Sequence, residues 1–294
     1  MRNNVIFIPS KGRPRCVTAR YLKDIGYPSE VIIVVGDDDD TYQEYMDAWG
    51  NDSVILFDKE LAARGTDMMD AFGDSRASGV APARNAIIEI ARGMGLDRCW
   101  LMDDDYDSLW VLHSNGSHEK IRDGNRLFGL LEQIEDFGRQ TNIPVVGFRE
   151  GPSTRRYDGH GHRVYCAHNI STDAKTFNKF AGRMLDDSTH TARQLRVGRS
   201  DFLFQHMYVK QADKPYAYNN KAGEQGGGMS EAYSESDSME VAERQALVRC
   251  RYIGYNVMQS PNGVTGTFDG LKVTPRDLDD AIDVKVLHRR WALG

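Results

Sequence analysis

The sequence predicts an α/β fold with a mostly parallel central sheet flanked by helices. Short β-branched or apolar runs alternate with segments of helical character, and these runs occupy residues 5–8, 30–35, 54–57 and 99–102. Strands separated by helices pair in parallel, because each helix returns the chain to the same end of the sheet. Polar, turn-forming residues follow several of these runs, which is typical of loops at one edge of such a sheet.

The flanking residues define the helices between these strands. Residues 16–25 follow the turn-rich segment 9–14 and are expected to be helical. A second helix is predicted over residues 41–49, with Thr41 as its N-cap. A third is predicted over residues 86–94, where apolar side chains recur at helical spacing.

The second half of the chain is less regular. A helix is predicted over residues 127–137, whose apolar side chains form one stripe. Further strands are predicted at residues 143–148, 164–170 and 202–209. Residues 219–238 are rich in glycine, serine and acidic side chains, so we expect a mobile loop there, followed by a helix over residues 239–252. Neither an internal repeat nor a linker is recognisable, so residues 1–294 are expected to form one domain.

The composition excludes several classes of protein. The chain has 294 residues, of which 40% are hydrophobic and 27% charged, as is typical of soluble globular proteins. A net charge of -6 provides no overall basic field for nucleic acid, so a polyanionic partner would need a local basic patch. The apolar runs are too short to cross a bilayer or to form a signal peptide. The four cysteines are scattered, so we expect reduced thiols and a cytoplasmic location.

The most informative feature is an acidic triplet, Asp103-Asp104-Asp105, directly after the apolar run that ends at Met102. In open α/β sheets, ligands bind at the carboxyl ends of strands. If the backbone stays extended, Asp103 and Asp105 point to the same side, where a hard divalent cation could bridge them to a diphosphate. This predicts a metal-dependent enzyme with a nucleotide-linked substrate. A solvated acidic loop or a helix cap is the competing interpretation.

Four elements occur in an order that resembles a known family. They are a strand ending in Pro9-Ser10-Lys11-Gly12-Arg13-Pro14, a strand ending in Asp37-Asp38-Asp39, a helix opening with Ala83-Arg84-Asn85, and the strand with the acidic triplet. This order resembles nucleotide-sugar glycosyltransferases with the GT-A fold, in particular the phage-type enzymes associated with hypermodified DNA bases. The resemblance implies a GT-A-like fold, with a nucleotide-sugar-binding half (residues 1–110) and an elaborated acceptor-binding half (residues 111–294).

The resemblance also implies roles for individual residues. Asp103 and Asp105 would hold Mn2+ or Mg2+ against the donor diphosphate, and Asp104 would contact ribose or cap Tyr106. Residues implied to contact the nucleotide or its phosphates are Pro9, Ser10, Lys11, Arg13, Asp38 or Asp39, Arg84 and Asn85. A plain turn at residues 9–14 and a surface acidic turn at residues 37–40 are the competing interpretations.

The acceptor half contains a candidate base and a candidate basic patch. Asp201 is the predicted catalytic base, in a segment that the resemblance places before a helix, with Asp186 and Asp187 as alternatives. The implied acceptor is a hydroxymethylated pyrimidine, such as hydroxymethylcytosine, in phage DNA. The predicted DNA groove contains Arg155, Arg156, Arg193, Arg196 and Arg199 with Tyr157 and Tyr165. A solvated basic face competes with this interpretation. Residues 221–228 would close over the donor or act as a passive connector.

Two other functions compete with a glycosyltransferase that uses a uridine diphosphate sugar. A nucleotidyltransferase that acts on a sugar phosphate shares a similar sheet and metal-binding acids. It should have a longer glycine-rich loop after the first strand, and the segment 9–14 is short with a single glycine. A non-catalytic module that binds nucleotides or cations would bind without turnover. A phage-encoded enzyme would work in the cytoplasm of its host.

Overall fold

The structure is a computed structural model, and it describes the chain in several stretches. The described residues are 4–67, 79–152, 159–160, 164, 167–173, 179–182, 186–196, 199–212, 266–268 and 271–273. The predicted loop at 219–238 and the predicted helix at 239–252 lie outside these residues. Within the described part, no helix is both long and apolar enough to cross a membrane.

The first hundred residues alternate between strands and helices, as predicted. The elements are β1 (Ile6–Ser10), α1 (Val17–Asp24), β2 (Val31–Gly36), α2 (Tyr42–Trp49), β3 (Val54–Phe57), α3 (Lys59–Arg64), α4 (Ala81–Gly93) and β4 (Arg98–Met102). A 3-10 turn at Asn51–Ser53 leads into β3. Helix α4 begins earlier than predicted, because Pro82 lies in its first turn, where the missing N–H leaves no helical hydrogen bond unmade.

The second half adds strands on the far side of β4. The elements are β5 (Tyr106–Leu112), β6 (His118–Lys120), α5 (Gly124–Thr141), β7 (Val145–Glu150), β8 (Gly159–His160), β9 (Ala167–Ser171), α6 (Asp186–Arg196) and β10 (Phe202–Gln211). A separate two-stranded sheet contains β11 (Gly266–Phe268) and β12 (Leu271–Val273). Asp201 follows α6 and directly precedes β10, which confirms the strand predicted at residues 202–209. The position before a helix that the resemblance implied for Asp201 is therefore wrong.

The strands of the main sheet confirm the α/β class. Along the sheet the order is β3-β2-β1-β4-β9-β7-β10-β5-β6, with β8 paired to β10. The pairs from β3 to β4 are parallel. Beyond β4, strand β9 runs antiparallel between β4 and β7, and β5 and β6 are also antiparallel to their neighbours. Strand β10 is parallel to β7. The continuous run of parallel pairs lies in the first half, and it brings the carboxyl ends of β1, β2 and β4 to one edge.

Side chains of each central strand point alternately into two apolar layers. On one face, Ile6 and Ile8 of β1 pack in a cluster that includes side chains of α1, α2 and α5. On the other face, Val5 and Phe7 pack in a cluster that includes side chains of α4. Burying one such side chain stabilises the fold by about 1.5–3 kcal/mol, which holds each strand in one register. Because side chains alternate along a strand, that register also sets the direction of the residues at its end.

Candidate active site

The carboxyl ends of β1 and β4 lie side by side, because the two strands pair in parallel. The loop after β4 is fixed by Thr18, at the start of α1. The Thr18 hydroxyl donates to the carbonyl of Asp103 (2.5 Å) and accepts from the N–H of Tyr106 (2.8 Å). The Thr18 N–H donates to the carbonyl of Asp104 (3.2 Å). Strand β4 ends at Met102, and the next residues form a turn, so the extended backbone assumed for the triplet does not occur.

The three aspartates of the triplet have different surroundings. Asp103 accepts hydrogen bonds from Arg84 Nη2 (3.1 Å) and from the hydroxyl of Tyr106 (2.9 Å). Asp104 is buried and accepts from Ser10 Oγ (2.5 Å), while its other oxygen pairs with Arg13 Nη1 (3.0 Å). Burial raises the pKa of Asp104, although the Arg13 charge and the Ser10 hydrogen bond oppose the rise. The oxygens of these two carboxylates are therefore bound by side chains of the protein.

Asp105 differs from its neighbours. Its Oδ1 is buried and accepts no hydrogen bond within the part of the chain that the structure describes. Burial, followed by the charges of Asp103 and Asp104, raises the pKa of Asp105 to about 7. A carboxylate held in this way repels its acidic neighbours unless a proton or a cation neutralises it.

The donor set fits a divalent ion that is shared with a phosphate ligand. Carboxylate oxygens are preferred by Mg2+ and Mn2+. No group of three or more His, Cys, Asp or Glu side chains among the described residues forms a closed metal site. Mg2+ is commonly held by one or two carboxylates together with phosphates of the substrate. Asp105, with Asp103 beside it, can supply that small number of protein ligands.

The loop after β1 is held by a chain of hydrogen bonds that ends at Asp104. Since the hydroxyl hydrogen of Ser10 is donated to Asp104, the Tyr45 hydroxyl must donate to Ser10 Oγ (2.8 Å). The Tyr45 oxygen in turn accepts from the N–H of Arg13 (2.8 Å). Tyr45 is fully buried, and burial raises its pKa, so its hydroxyl keeps its proton. The chain fixes Arg13 beside the acidic turn.

The second strand end contributes two aspartates that are also engaged. Asp39 is buried, and its carboxylate accepts from the N–H of Gly12 (2.8 Å), from the N–H of Thr41 (2.8 Å) and from the Thr41 hydroxyl (2.7 Å). Thr41 occupies the predicted N-cap position of α2, but its side chain makes no cap hydrogen bond, because its hydroxyl donates to Asp39. Asp39 thus ties the loop after β2 to the loop after β1.

Asp38, in contrast, is exposed and lies between two lysines. Its carboxylate pairs with Lys59 Nζ (2.6 Å) and Lys11 Nζ (3.5 Å). Partial burial would raise the pKa of Asp38, but the hydrogen bond and charge of Lys59, together with Lys11, lower it. Asp38 is therefore the more accessible of the two aspartates proposed to contact the nucleotide.

Arg84 connects the acidic turn with the start of α6. Its buried guanidinium pairs with Asp186 Oδ2 (2.7 Å) through Nη1 and with Asp103 Oδ1 (3.1 Å) through Nη2, and it lies over the ring of Phe180 (5.4 Å). Burial raises the pKa of Asp186 to about 6, against the charge of Arg84. The amide of Asn85 binds the N–H and carbonyl of Phe180 (2.8 and 3.0 Å). Both residues order the loops around the site.

The structure places the candidate bases differently. Asp187 is partly exposed at the start of α6, next to Asp186, and its charge helps to raise the pKa of Asp186. Asp201 is buried, accepts from the Thr191 hydroxyl (2.8 Å), and lies 3.7 Å from His190 Nδ1. Within the described part of the chain, Asp201 Oδ1 has no hydrogen-bond partner. The described contacts connect the start of α6, through Arg84, with the acidic turn, whereas those of Asp201 lie further along α6.

Much of the predicted basic patch lies outside the described residues. These are Arg155, Arg156, Tyr157 and Tyr165, and the segment 221–228 lies outside them as well. Arg193 and Arg196 belong to α6, but their side chains are not described. Arg199 is half-buried, and its N–H donates to the carbonyl of Gln194 (2.9 Å). The patch therefore stays a prediction.

Two residues that hold the site were missed by sequence reasoning. Tyr45 and Thr18 lie on helices, and neither belongs to a motif. The strand order could have indicated them. Because β1, β2 and β4 are parallel, the helices that follow β1 and β2 begin at the same edge of the sheet as the acidic turn.

Comparisons with known proteins found a family and a solved structure that are similar to this chain. The family model described as TET-Associated Glycosyltransferase matches residues 4–220. A solved structure from Desulfovibrio desulfuricans G20, assigned to the nucleotide-diphospho-sugar transferases, superimposes with a TM-score of 0.40 at 12% sequence identity, covering 85% of this chain and 98% of its own. No curated protein sequence matches this chain.

Proposed function

Because the chain belongs to the TET-associated glycosyltransferase family, we propose that it transfers a sugar from a uridine diphosphate sugar, with a divalent ion, to a hydroxymethylated pyrimidine in DNA. Membership makes the protein a glycosyltransferase with a nucleotide-sugar donor. The nucleotide, the ion and the acceptor belong to the proposal. Its donor half depends most on Oδ1 of Asp105 in the turn after β4, which is buried and has no hydrogen-bond partner among the described residues.

The donor is proposed to bind across the ends of β1, β2 and β4. Lys11 and Arg13 provide positive charge for phosphate oxygens, and Asp38 is the accessible carboxylate for a ribose hydroxyl. Asp105, with Asp103, would hold Mn2+ or Mg2+. When bound, such an ion would screen the charge that builds on the leaving nucleoside diphosphate.

Ordering of these loops before the donor arrives is the main contribution of the protein. Asp104 holds Arg13 in place, and Tyr45 and Asp39 fix the backbone of the loop after β1. When hydrogen-bond donors and charged side chains are already oriented, the site does not have to reorganise during the reaction. Such preorganisation is usually the largest electrostatic contribution to catalysis.

A transfer that inverts configuration needs a carboxylate to take the proton of the acceptor hydroxyl. Asp201 was predicted for this role, with Asp186 and Asp187 as alternatives, and Asp186 is paired with Arg84. Two observations favour Asp187, because it is accessible to an acceptor and lies at the end of α6 that Arg84 joins to the acidic turn. Asp201 is buried and bound to Thr191, which suits a residue that positions α6.

The two candidates can be separated by substitution. Asp187→Asn should lower kcat for sugar transfer by 100-fold or more, within the range of about 10²–10⁴ that general base catalysis contributes. It should leave donor binding and slow donor hydrolysis intact. Asp201→Asn should lower thermal stability and leave kcat within about tenfold. The assignment is wrong if Asp201→Asn abolishes transfer in folded protein while Asp187→Asn does not.

The activity itself can be tested with defined substrates. DNA containing hydroxymethylcytosine is incubated with Mn2+ and a panel of nucleoside diphosphate sugars, and its mass is measured. A gain of one sugar, absent with unmodified DNA and with Asp105→Asn, is expected. Release of pyrophosphate from a nucleoside triphosphate and a sugar phosphate would indicate a nucleotidyltransferase instead. Failure of every donor to modify the DNA would refute the proposal.

A further inference from the structure

The strand that leaves the acidic turn has an aromatic face outside both apolar clusters. On β5 and β10, Leu109, Met207 and Val209 point into the core beneath α1 and α5. Trp110 and Tyr208 alternate with these residues and therefore point to the opposite face. They are direct cross-strand partners, and their rings stack at 6.1 Å with planes 10° apart.

Neighbouring side chains hold the stacked pair in a fixed orientation. His118 of β6 shares a hydrogen bond with the Tyr208 hydroxyl through Nδ1 (2.9 Å) and lies edge-on to the Tyr208 ring (5.7 Å, 78°). The Trp110 indole N–H donates to Ser108 Oγ (2.9 Å). Trp110 remains partly exposed and His118 is exposed. The indole is thus oriented before any ligand arrives, which reduces the entropy lost on binding.

A cation lies on the same face, between the aromatic pair and the acidic turn. Lys210 is exposed and is the cross-strand partner of Ser108. At about 3.3 Å per residue, Trp110 lies about 17 Å along β5 from Asp105, and Ser108 and Lys210 lie about 10 Å along it. The far end of β10 returns to the turn, since the N–H of Ala212 donates to the carbonyl of Asp105 (2.8 Å). The strip therefore begins at the candidate active site.

We propose that Trp110, supported by the buried Tyr208, and Lys210 bind a single-stranded segment of the DNA acceptor that flanks the reacting base. Trp110 stacks on a nucleobase, and Lys210 contacts the phosphate backbone between that base and the active site. Aromatic rings combined with basic side chains along one strip are the usual means of binding single strands without sequence preference.

This inference rests on the proposed DNA acceptor, and binding is its primary test. The full chain is titrated against a fluorescein-labelled 12-nucleotide oligo-dT, and anisotropy is recorded at several salt concentrations. Trp110→Ala should weaken binding about 5- to 100-fold, and Trp110→Phe, which keeps a ring, should recover part of the loss. Lys210→Gln should weaken binding and reduce the slope of log affinity against log salt by about one unit.

Controls separate this inference from the proposed function. Phe128 on α5 is a half-buried aromatic residue that packs against Tyr27, and the Phe128→Ala variant should bind the oligonucleotide like wild type. Release of nucleoside diphosphate from the donor without acceptor should be unchanged in Trp110→Ala. Wild-type affinity in both Trp110→Ala and Lys210→Gln, or no oligonucleotide binding by wild type at low salt, would overturn the inference. If wild type does not turn over any sugar donor, the proposed function is refuted instead.

Discussion

Replacing Asp105 with asparagine removes a charge that destabilises the metal-free protein. The pKa of Asp105 rises from 3.8 to about 7, first because of burial and then because of Asp103 and Asp104. At 1.36 kcal/mol per pKa unit, this corresponds to at most about 4 kcal/mol, and residual exposure of the side chain reduces it to about 1–2 kcal/mol. The folded state holds the proton more tightly than the unfolded state. Stability therefore falls as the pH rises from about 4 to about 7 and stays low above that.

The assay is a thermal melt of wild type and Asp105→Asn in EDTA, between pH 4 and pH 8. At pH 8 the variant should be more stable, by about 2–4 °C for each kcal/mol, and the difference should vanish toward pH 4. When Mn2+ replaces EDTA, the melting temperature of wild type should rise and that of Asp105→Asn should not. Asp52→Asn, at an exposed residue, should melt like wild type throughout. A variant less stable than wild type at pH 8 in EDTA would refute the electrostatic reasoning.

Four further substitutions test other parts of the account. Tyr45→Phe removes the acceptor of the Arg13 N–H and the hydrogen bond to Ser10 Oγ, at a cost of about 1–3 kcal/mol. It should raise the donor KM in hydrolysis assays about tenfold with less change in kcat; an unchanged KM would exclude its positioning role. Arg84→Met should lower the free energy of unfolding in urea by about 3–5 kcal/mol, because two carboxylates lose their partner; a loss below about 1 kcal/mol would contradict the described pairing. Gly124→Ala should strongly destabilise α5, since the new Cβ would lie 2.2 Å from the carbonyl oxygen of Gly26. In the same helix, Gly129→Ala meets open space and should stabilise by about 0.5–1 kcal/mol; similar melting temperatures for the two variants would contradict this packing.

The first half of the fold could be predicted because its signals are local. The run at residues 54–57 coincides with β3, and β1, β2 and β4 differ from their predicted bounds by only one or two residues. Strand β5 was missed because it follows the acidic turn directly, and its stabilising partner β10 lies about a hundred residues later in the chain. Helix α6 was missed because several side chains on its buried side are polar, including Asp186, His190 and Gln194.

The candidate site was predictable to the level of loops. The sequence predicted Ser10, Arg13, Arg84 and the acidic triplet at one edge of the sheet, and the structure places them in contact there. The sequence assigned different roles to Asp104 and Asp105. It could not show that Asp104 is bound by two side chains, whereas Oδ1 of Asp105 is unpaired within the described part of the chain. That difference depends on a turn in the backbone and on tertiary partners, which no local pattern records.

The central claim is that Asp105 holds a divalent ion that binds the diphosphate of the donor. Isothermal titration calorimetry of uridine diphosphate, with and without Mn2+, tests it most directly. The account predicts binding to wild type that requires Mn2+ and that Asp105→Asn loses. Equal binding by wild type and Asp105→Asn in the presence of Mn2+ would contradict it.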